Sequence, residues 1–202
     1  DQDIVLDIAS NDGTLLNSYK KQKILKIGID PVVKKFKKNY NRNTIAYAGF
    51  FSKKNFLKLS KNKKAKIITS IAVFYDIPDP NNFVSDIKEI LSKDGIWIME
   101  QSYFPFLVKN NAYDSICHEH LSYFMYRQLN LILSKHNLKV VDVKFNEMNG
   151  GSFRLFIGHS DFKRKINSKS ISQLINYEKK IFTNFSQTKK MFKKNILVSK
   201  KN

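Results

Sequence analysis

The sequence predicts an α/β fold built on a doubly wound, mostly parallel sheet, and three observations predict it. Ile4-Val5-Leu6-Asp7-Ile8 is an apolar, β-branched run that ends in a turn of small and polar residues, 9–13, before the helix start Thr14-Leu15-Leu16. Further runs of the same kind alternate with helical spacing through Glu100. The last two runs, 138–145 and 152–158, are joined through Asn149-Gly150-Gly151. So short a connection makes them antiparallel neighbours.

Composition bounds what such a chain can do. With 202 residues, 42% hydrophobic and 13% aromatic, it can bury one sizeable core. No apolar run approaches the ~20 residues of a membrane span. The net charge is +19, but the cations are overwhelmingly lysine, with arginine only at Arg42, Arg127, Arg154 and Arg164. Nucleic-acid readers lean on arginine for bidentate contacts. The lysines scatter over several helices and loops, so the charge reads as a solvated surface, and neither a nucleic acid nor a membrane is the expected partner. Cys117 is the only cysteine, which rules out an internal disulfide framework or a thiolate zinc cluster and fits a cytoplasmic protein. The chain opens on charged residues without an initiator Met, and is read as a piece whose true N-terminus lies upstream.

Taken in order, the first run is a buried strand with Asp7 at its C-terminal end, where open α/β sheets bind ligands. The turn Ala9, Ser10, Asn11, Asp12, Gly13 lets backbone approach a ligand. A pyrophosphate turn has the pattern G-x-G-x-x-G. Here only Gly13 is present, and Asp7 and Asp12 place two carboxylates at the mouth. They repel phosphate and suit a cationic ligand rich in hydroxyl and amine donors, such as S-adenosylmethionine (SAM). The alternative is a strand ending in a polar turn with a capping aspartate. Residues 23–30 form a second strand ending in Asp30, about 20 residues after the turn, placed to bond both ribose hydroxyls of a nucleoside or to cap the helix begun by Pro31.

Thr44–Tyr47 is the third strand. Gly49-Phe50-Phe51 follows, with Phe50 available to stack on an adenine. Residues 53–61 are a short helix and 65–70 a fourth strand. From it Ser70 and Ile71 lead into a loop over the site that contains Asp76. A helix at 81–92, a turn at Asp94-Gly95 and a fifth strand at 96–100 complete the parallel part. Residues 101–126 are aromatic and irregular, and long structured loops are usually functional. This one holds Tyr103, Cys117, His118, Glu119, His120 and Tyr123. A helix at 127–136 leads to the closing hairpin. From 168 to about 200 the spacing is that of one long helix with no visible partner in the chain.

The His-Glu-His cluster has three readings on residue types alone. It can be a metal site, although no third or fourth ligand group is evident nearby, a buried polar network, or a catalytic group. Cys117 reads as a packed residue. Arg154 either binds a substrate phosphate or pairs with an acid on the sheet.

Three stretches together resemble one family. Val5 to Leu16 resembles motif I of SAM-dependent methyltransferases, in the wording of the sugar C-methyltransferases. Ile116-Cys117-His118-Glu119-His120-Leu121-Ser122-Tyr123-Phe124 resembles that family's H-E-H-L-x-Y loop, and Asn149-Gly150-Gly151-Ser152-Phe153-Arg154 its G-G-S-x-R hairpin. The resemblance implies a class I, Rossmann-like, seven-stranded mostly parallel sheet with helices on both faces and one antiparallel strand. It implies a methyltransferase domain over 1–160 and a helical connector over 161–202 toward a C-terminal domain, with an N-terminal zinc-binding domain also missing. The implied cofactor is SAM, bound by Asp7, Ala9, Ser10, Asn11, Asp12, Gly13, Asp30, Phe50, Ser70 and Ile71. The implied reaction is C-methylation of a nucleotide-linked 4-keto-6-deoxy sugar through an enolate. His120 is then the base, with Glu119 and His118 beside it, and Asp76, Tyr103, Cys117, Tyr123 and Arg154 face the acceptor. Two positions depart from the family: Cys117 stands where many members have Tyr, and Asp76 where many have His. Both bear on the acceptor, so O- or N-methylation of another small molecule is the alternative, and a lysine-rich nucleic-acid-binding module the second.

Overall fold

The computed structural model describes residues 2–20, 23–163 and 166–199. Its sheet has seven strands in the order β3-β2-β1-β4-β5-β7-β6. They are β1 (Asp3–Ile8), β2 (Ile24–Ile29), β3 (Thr44–Tyr47), β4 (Ala65–Ile71), β5 (Leu91–Ser102), β6 (Leu138–Asn146) and β7 (Ser152–His159). β1 to β5 pair parallel. β7 runs antiparallel to both β5 and β6. Chain order reverses between β1 and β4, which opens a crevice at their carboxyl ends.

Period-two alternation decides which side each β1 residue serves. Ile4, Leu6 and Ile8 join the larger core with Phe56, Val84, Ile87 and Leu129. Val5 faces the other way, into a smaller cluster with Leu16, Ile24, Val33 and Tyr40. These clusters seat α1 (Thr14–Ser18) and α2 (Val33–Phe36) on one face, and α3 (Lys53–Leu59), α4 (Pro80–Ile90) and α6 (Tyr126–Lys135) on the other. Capping follows local chemistry: Ser52 accepts from the Asn55 amide at 3.2 Å and Asp79 from that of Asn82 at 3.0 Å.

Four expectations need correction. Pro31 does not open a helix; α2 starts at Val33, because Asp30 first turns the chain by accepting the Val32 amide at 2.8 Å. Asp94-Gly95 is no separate turn but lies inside β5, where the pairing slips between Ala65/Leu91 and Ile67/Ile96. Residues 101–126 are not wholly irregular: they contain α5 (Phe104–Lys109) and a 3-10 turn at Tyr113–Ser115. The C-terminal helix is two helices, α7 (Ser168–Thr183) and α8 (Phe185–Ser199), and α7 has a partner. Leu174 is 1% exposed in the main core and Glu178 is buried against α6. The expected end near Lys200, and the side chain of Phe182 on the predicted apolar stripe, lie outside the described residues.

Candidate active site

The turn after β1 is built by backbone that leaves the ordinary regions. Ala9 and Asn11 have φ of 60° and 47°, and Gly13 has φ of 81°. The Gly13 amide donates to the Ser10 carbonyl at 2.8 Å, closing the turn. A Cβ on Gly13 would meet the Tyr40 ring at 2.7 Å, so glycine is required by both conformation and space. Tyr40 braces the turn: its hydroxyl lies 2.7 Å from Ser10 Oγ and donates to the Asn11 carbonyl at 2.7 Å. Asp12 accepts the Thr14 amide at 3.0 Å, and those bonds hold its carboxyl below the usual range. Asp12 thus holds the first amide of α1, while the capping position itself is Gly13.

Asp7 and Asp30 sit at the ends of adjacent strands and feel each other. Asp7 is 4% exposed, and burial pushes its carboxyl up from 3.8 to about 6; Thr69 opposes that shift and the Asp30 charge adds to it. Thr69, opposite Asp7 on β4, donates to Asp7 Oδ1 at 2.5 Å. Gly28 is opposite Asp7 on β2, and a Cβ there would come within 2.7 Å of Ser10 Oγ. Asp30, also buried, takes the Val32 amide on Oδ1 and the Asn11 amide at 3.0 Å on Oδ2. The acid at the end of β2 thus anchors the β1 turn as well as its own, and its charge is felt at Asp7. Phe50, 81% exposed, stands at the carboxyl edge of β3 with an uncovered ring. Ile71, 37% exposed, ends β4.

A second locus lies beyond β4 and β5. Tyr75, Ser102, Asp114, Ser115, His120, Asn149 and Gly150 line a cavity of about 330 Å³. His120 Nδ1 is 2.6 Å from the Ser115 carbonyl. A carbonyl only accepts, so Nδ1 carries the proton, and the neutral ring keeps its lone pair on Nε2. The Tyr75 ring packs on the imidazole with centroids 4.3 Å apart. Tyr123 donates to the same Ser115 carbonyl at 3.2 Å. The Ser122 amide donates to the Tyr75 carbonyl at 3.1 Å, tying this loop to the β4 loop. Asp76 joins the group electrostatically: burial raises its carboxyl, His120 lowers it and Glu119 raises it. Its Oδ1 is buried without a partner. Cys117, His118 and Glu119 are exposed on the same loop. Glu119 is held below its ordinary range, first by its own backbone amide, then by Cys117.

Four expected contacts come out otherwise. Ser10 and Ser70 turn their hydroxyls inward: Ser70 is fully buried and accepts the Trp97 indole N–H at 2.9 Å, so both offer a ligand backbone only. Tyr103 is also fully buried, and its hydroxyl donates to Glu178 at 3.0 Å, which removes it from any acceptor. Arg154 Nε pairs with Glu100, opposite it on β5, as the sheet-acid alternative has it, and its side chain stays partly exposed. Thr69, Tyr40, Tyr75 and Ser115 were missed. Thr69 becomes legible once β1 and β4 are known to pair in register; the others depend on side-chain approach that no spacing encodes. Among the described residues no group of three or more His, Cys, Asp or Glu side chains could hold a metal ion, and no helix is long and apolar enough to cross a membrane.

Comparison with known proteins gives a consistent picture. The profile of a family described as "Methyltransferase domain" matches residues 1–143. A curated relative, C-methyltransferase NovU of Streptomyces niveus, is 30% identical over 158 residues; these are 77% of this chain and 37% of the relative. The chain therefore spans little more than a third of that relative's length. Among solved structures, a chain of the complex between the Haloferax volcanii Trm112 methyltransferase activator and a methyltransferase superposes with a TM-score of 0.61 at 14% identity, covering 79% of this chain and 83% of that one. The plantazolicin methyltransferase BpumL, solved in complex with a triazolic desmethylPZN analog and SAH, superposes with a TM-score of 0.59 at 12% identity, covering 78% and 76%. At such identities the superpositions speak for the fold.

Proposed function

The chain belongs to the methyltransferase domain family, and from that premise we propose that it transfers the methyl group of SAM to a carbon of a keto sugar carried on a nucleotide. The acid pair supports the cofactor. Asp30 suits the ribose hydroxyls, and the negative field of Asp7 and Asp30 suits a sulfonium and an α-amine while disfavouring the phosphates of a dinucleotide. Phe50 offers a ring for the adenine.

The observation that carries the acceptor chemistry is the Nδ1 contact of His120 with the Ser115 carbonyl. It leaves Nε2 as the basic nitrogen of a ring that lines the cavity. A proton taken by His120 from the carbon beside a ketone would leave an enolate whose carbon is the nucleophile, and bound SAM would supply the methyl group on a sulfonium that is left as a neutral thioether. Methyl transfer itself asks for alignment and little else of the protein. The name of the Streptomyces relative, a C-methyltransferase, supports carbon as the nucleophile. The sugar-nucleotide acceptor rests on the H-E-H-L-x-Y and G-G-S-x-R motifs. Residues 161–202 are proposed to lead toward further domains of a longer polypeptide.

Two experiments test this. Calorimetric titration with SAM and with NADH decides the cofactor, and binding of NADH alone overturns it. Incubation with a keto-sugar nucleotide in deuterated buffer decides the chemistry. A C-methyltransferase washes deuterium into the acceptor carbon ahead of methylation, whereas methylation without wash-in points to an oxygen or nitrogen acceptor.

A further inference from the structure

The loop that carries His120 leaves the sheet at Tyr103 and rejoins a helix at Tyr126, and both ends meet one carboxylate. Glu178 Oε1 accepts the Tyr103 hydroxyl at 3.0 Å and the Tyr126 amide at 2.5 Å. Oε2 accepts the Arg127 amide at 3.1 Å. Glu178 is 4% exposed and Tyr103 is fully buried, so water does not compete for these bonds. The two amides belong to the first turn of α6, whose N–H groups have no partner within the helix. No residue adjacent in sequence caps them: Met125, at the capping position, makes no side-chain bond. The cap comes from α7, 52 residues downstream, and the same carboxylate reaches back to the end of β5. α7 also lies outside the residues matched by the family profile, which end at 143.

We propose that Glu178 is a positioning residue: it pins both ends of the 103–126 segment and so holds His120 where its Nδ1 meets Ser115. The inference rests on the reading of His120 as the base only for its consequence in catalysis; the geometric claim stands by itself. A buried carboxylate with three donors is a fixed point, because each donor left facing a non-acceptor is unsatisfied away from water. A glutamine keeps the volume but offers one acceptor oxygen and an NH2 group. In one orientation that group faces the Arg127 amide and in the other the Tyr126 amide, so the α6 end of the segment loses one of its two bonds and is loosened.

The test uses the full chain labelled with 15N-histidine, with the His120 signals assigned by their loss in His120→Gln. In the parent protein Nδ1 should show as the protonated nitrogen, with its proton protected from solvent. In Glu178→Gln thermal unfolding should stay cooperative and the calorimetric SAM affinity should stay within about twofold. Exchange of the Nδ1 proton should speed by at least about tenfold as the loop opens locally. Tyr103→Phe releases only the β5 end and should give a smaller change in the same direction, which keeps the proposal testable if Glu178→Gln fails to fold. An unchanged His120 exchange rate in a folded Glu178→Gln, or in Tyr103→Phe alone should that variant be the only folded one, overturns the proposal and leaves Glu178 a helix cap. This outcome is separable from failure of the functional reading, which would show as undiminished turnover in His120→Ala.

Discussion

Thr69 Oγ1 lies 2.5 Å from Asp7 Oδ1, in register across the junction of β1 and β4. The hydroxyl favours the ionised carboxylate, yet burial outweighs it and holds the Asp7 carboxyl at about 6. A buried acid poised there is costly to an empty protein and useful to one that binds a cation.

The cost has a definite pH window. Asp7 keeps its proton to about 6 when folded against 3.8 as a free carboxyl, so between these values the folded chain binds more protons and stability falls as pH rises. The penalty is absent below about 3.8, complete above about 6, and of the order of 3 kcal/mol. Asp7→Asn is expected to raise the Tm of the ligand-free protein at about pH 7.5 and to leave it unchanged near pH 4. Melting curves at both values check this; a Tm gain of equal size at both would exclude Asp7 as its source.

The same ionisation governs cofactor affinity. A cationic ligand binds the charged form of Asp7, so SAM affinity should fall toward tenfold per pH unit below about 6. Thr69→Val removes the donor that favours the charge, and the midpoint should move to higher pH. Calorimetry from pH 5 to 8 on both proteins reads the two midpoints, and coincident curves would disprove the coupling.

His120→Ala should leave SAM affinity intact and reduce methyl transfer by about 10²–10⁴-fold. Deuterium wash-in should fall in parallel, since both need the same proton removed. A variant with full turnover would take His120 out of the reaction.

Gly13 and Phe50 should separate folding from binding. Gly13 has φ of 81°, and a Cβ would sit 2.7 Å from Tyr40, so Gly13→Ala should destabilise the fold by about 1–3 kcal/mol. Phe50 is 81% exposed and supports no core, so Phe50→Ala should leave the denaturation midpoint alone and weaken SAM binding by about tenfold through lost stacking. Urea titration and calorimetry on the two variants measure both quantities.

How far the fold could be read in advance depended on whether the cause was local. The β1 run, its polar turn, Asp30 and the β6–β7 hairpin were legible because alternation and turn chemistry act over a few residues. What escaped depends on contacts far apart in sequence. The parity that turns Ser70 toward Trp97, and the approach of Tyr40 to Ser10, follow from packing. α7 read as unpartnered because its stripe is apolar whatever covers it, and only the assembled structure brings Leu174 into the core and Glu178 beneath α6. Helix α5 was hidden by the aromatic residues of its own sequence, Phe104 and Phe106, which favour strands as readily.

The exposed thiol of Cys117 gives the molecule a built-in attachment point three residues from His120. A maleimide dye or nitroxide joined there would need no cysteine removed elsewhere, since the sequence has only this one. Movement of the H-E-H strip while small molecules come and go could then be followed by fluorescence or spin resonance on the unmutated polypeptide.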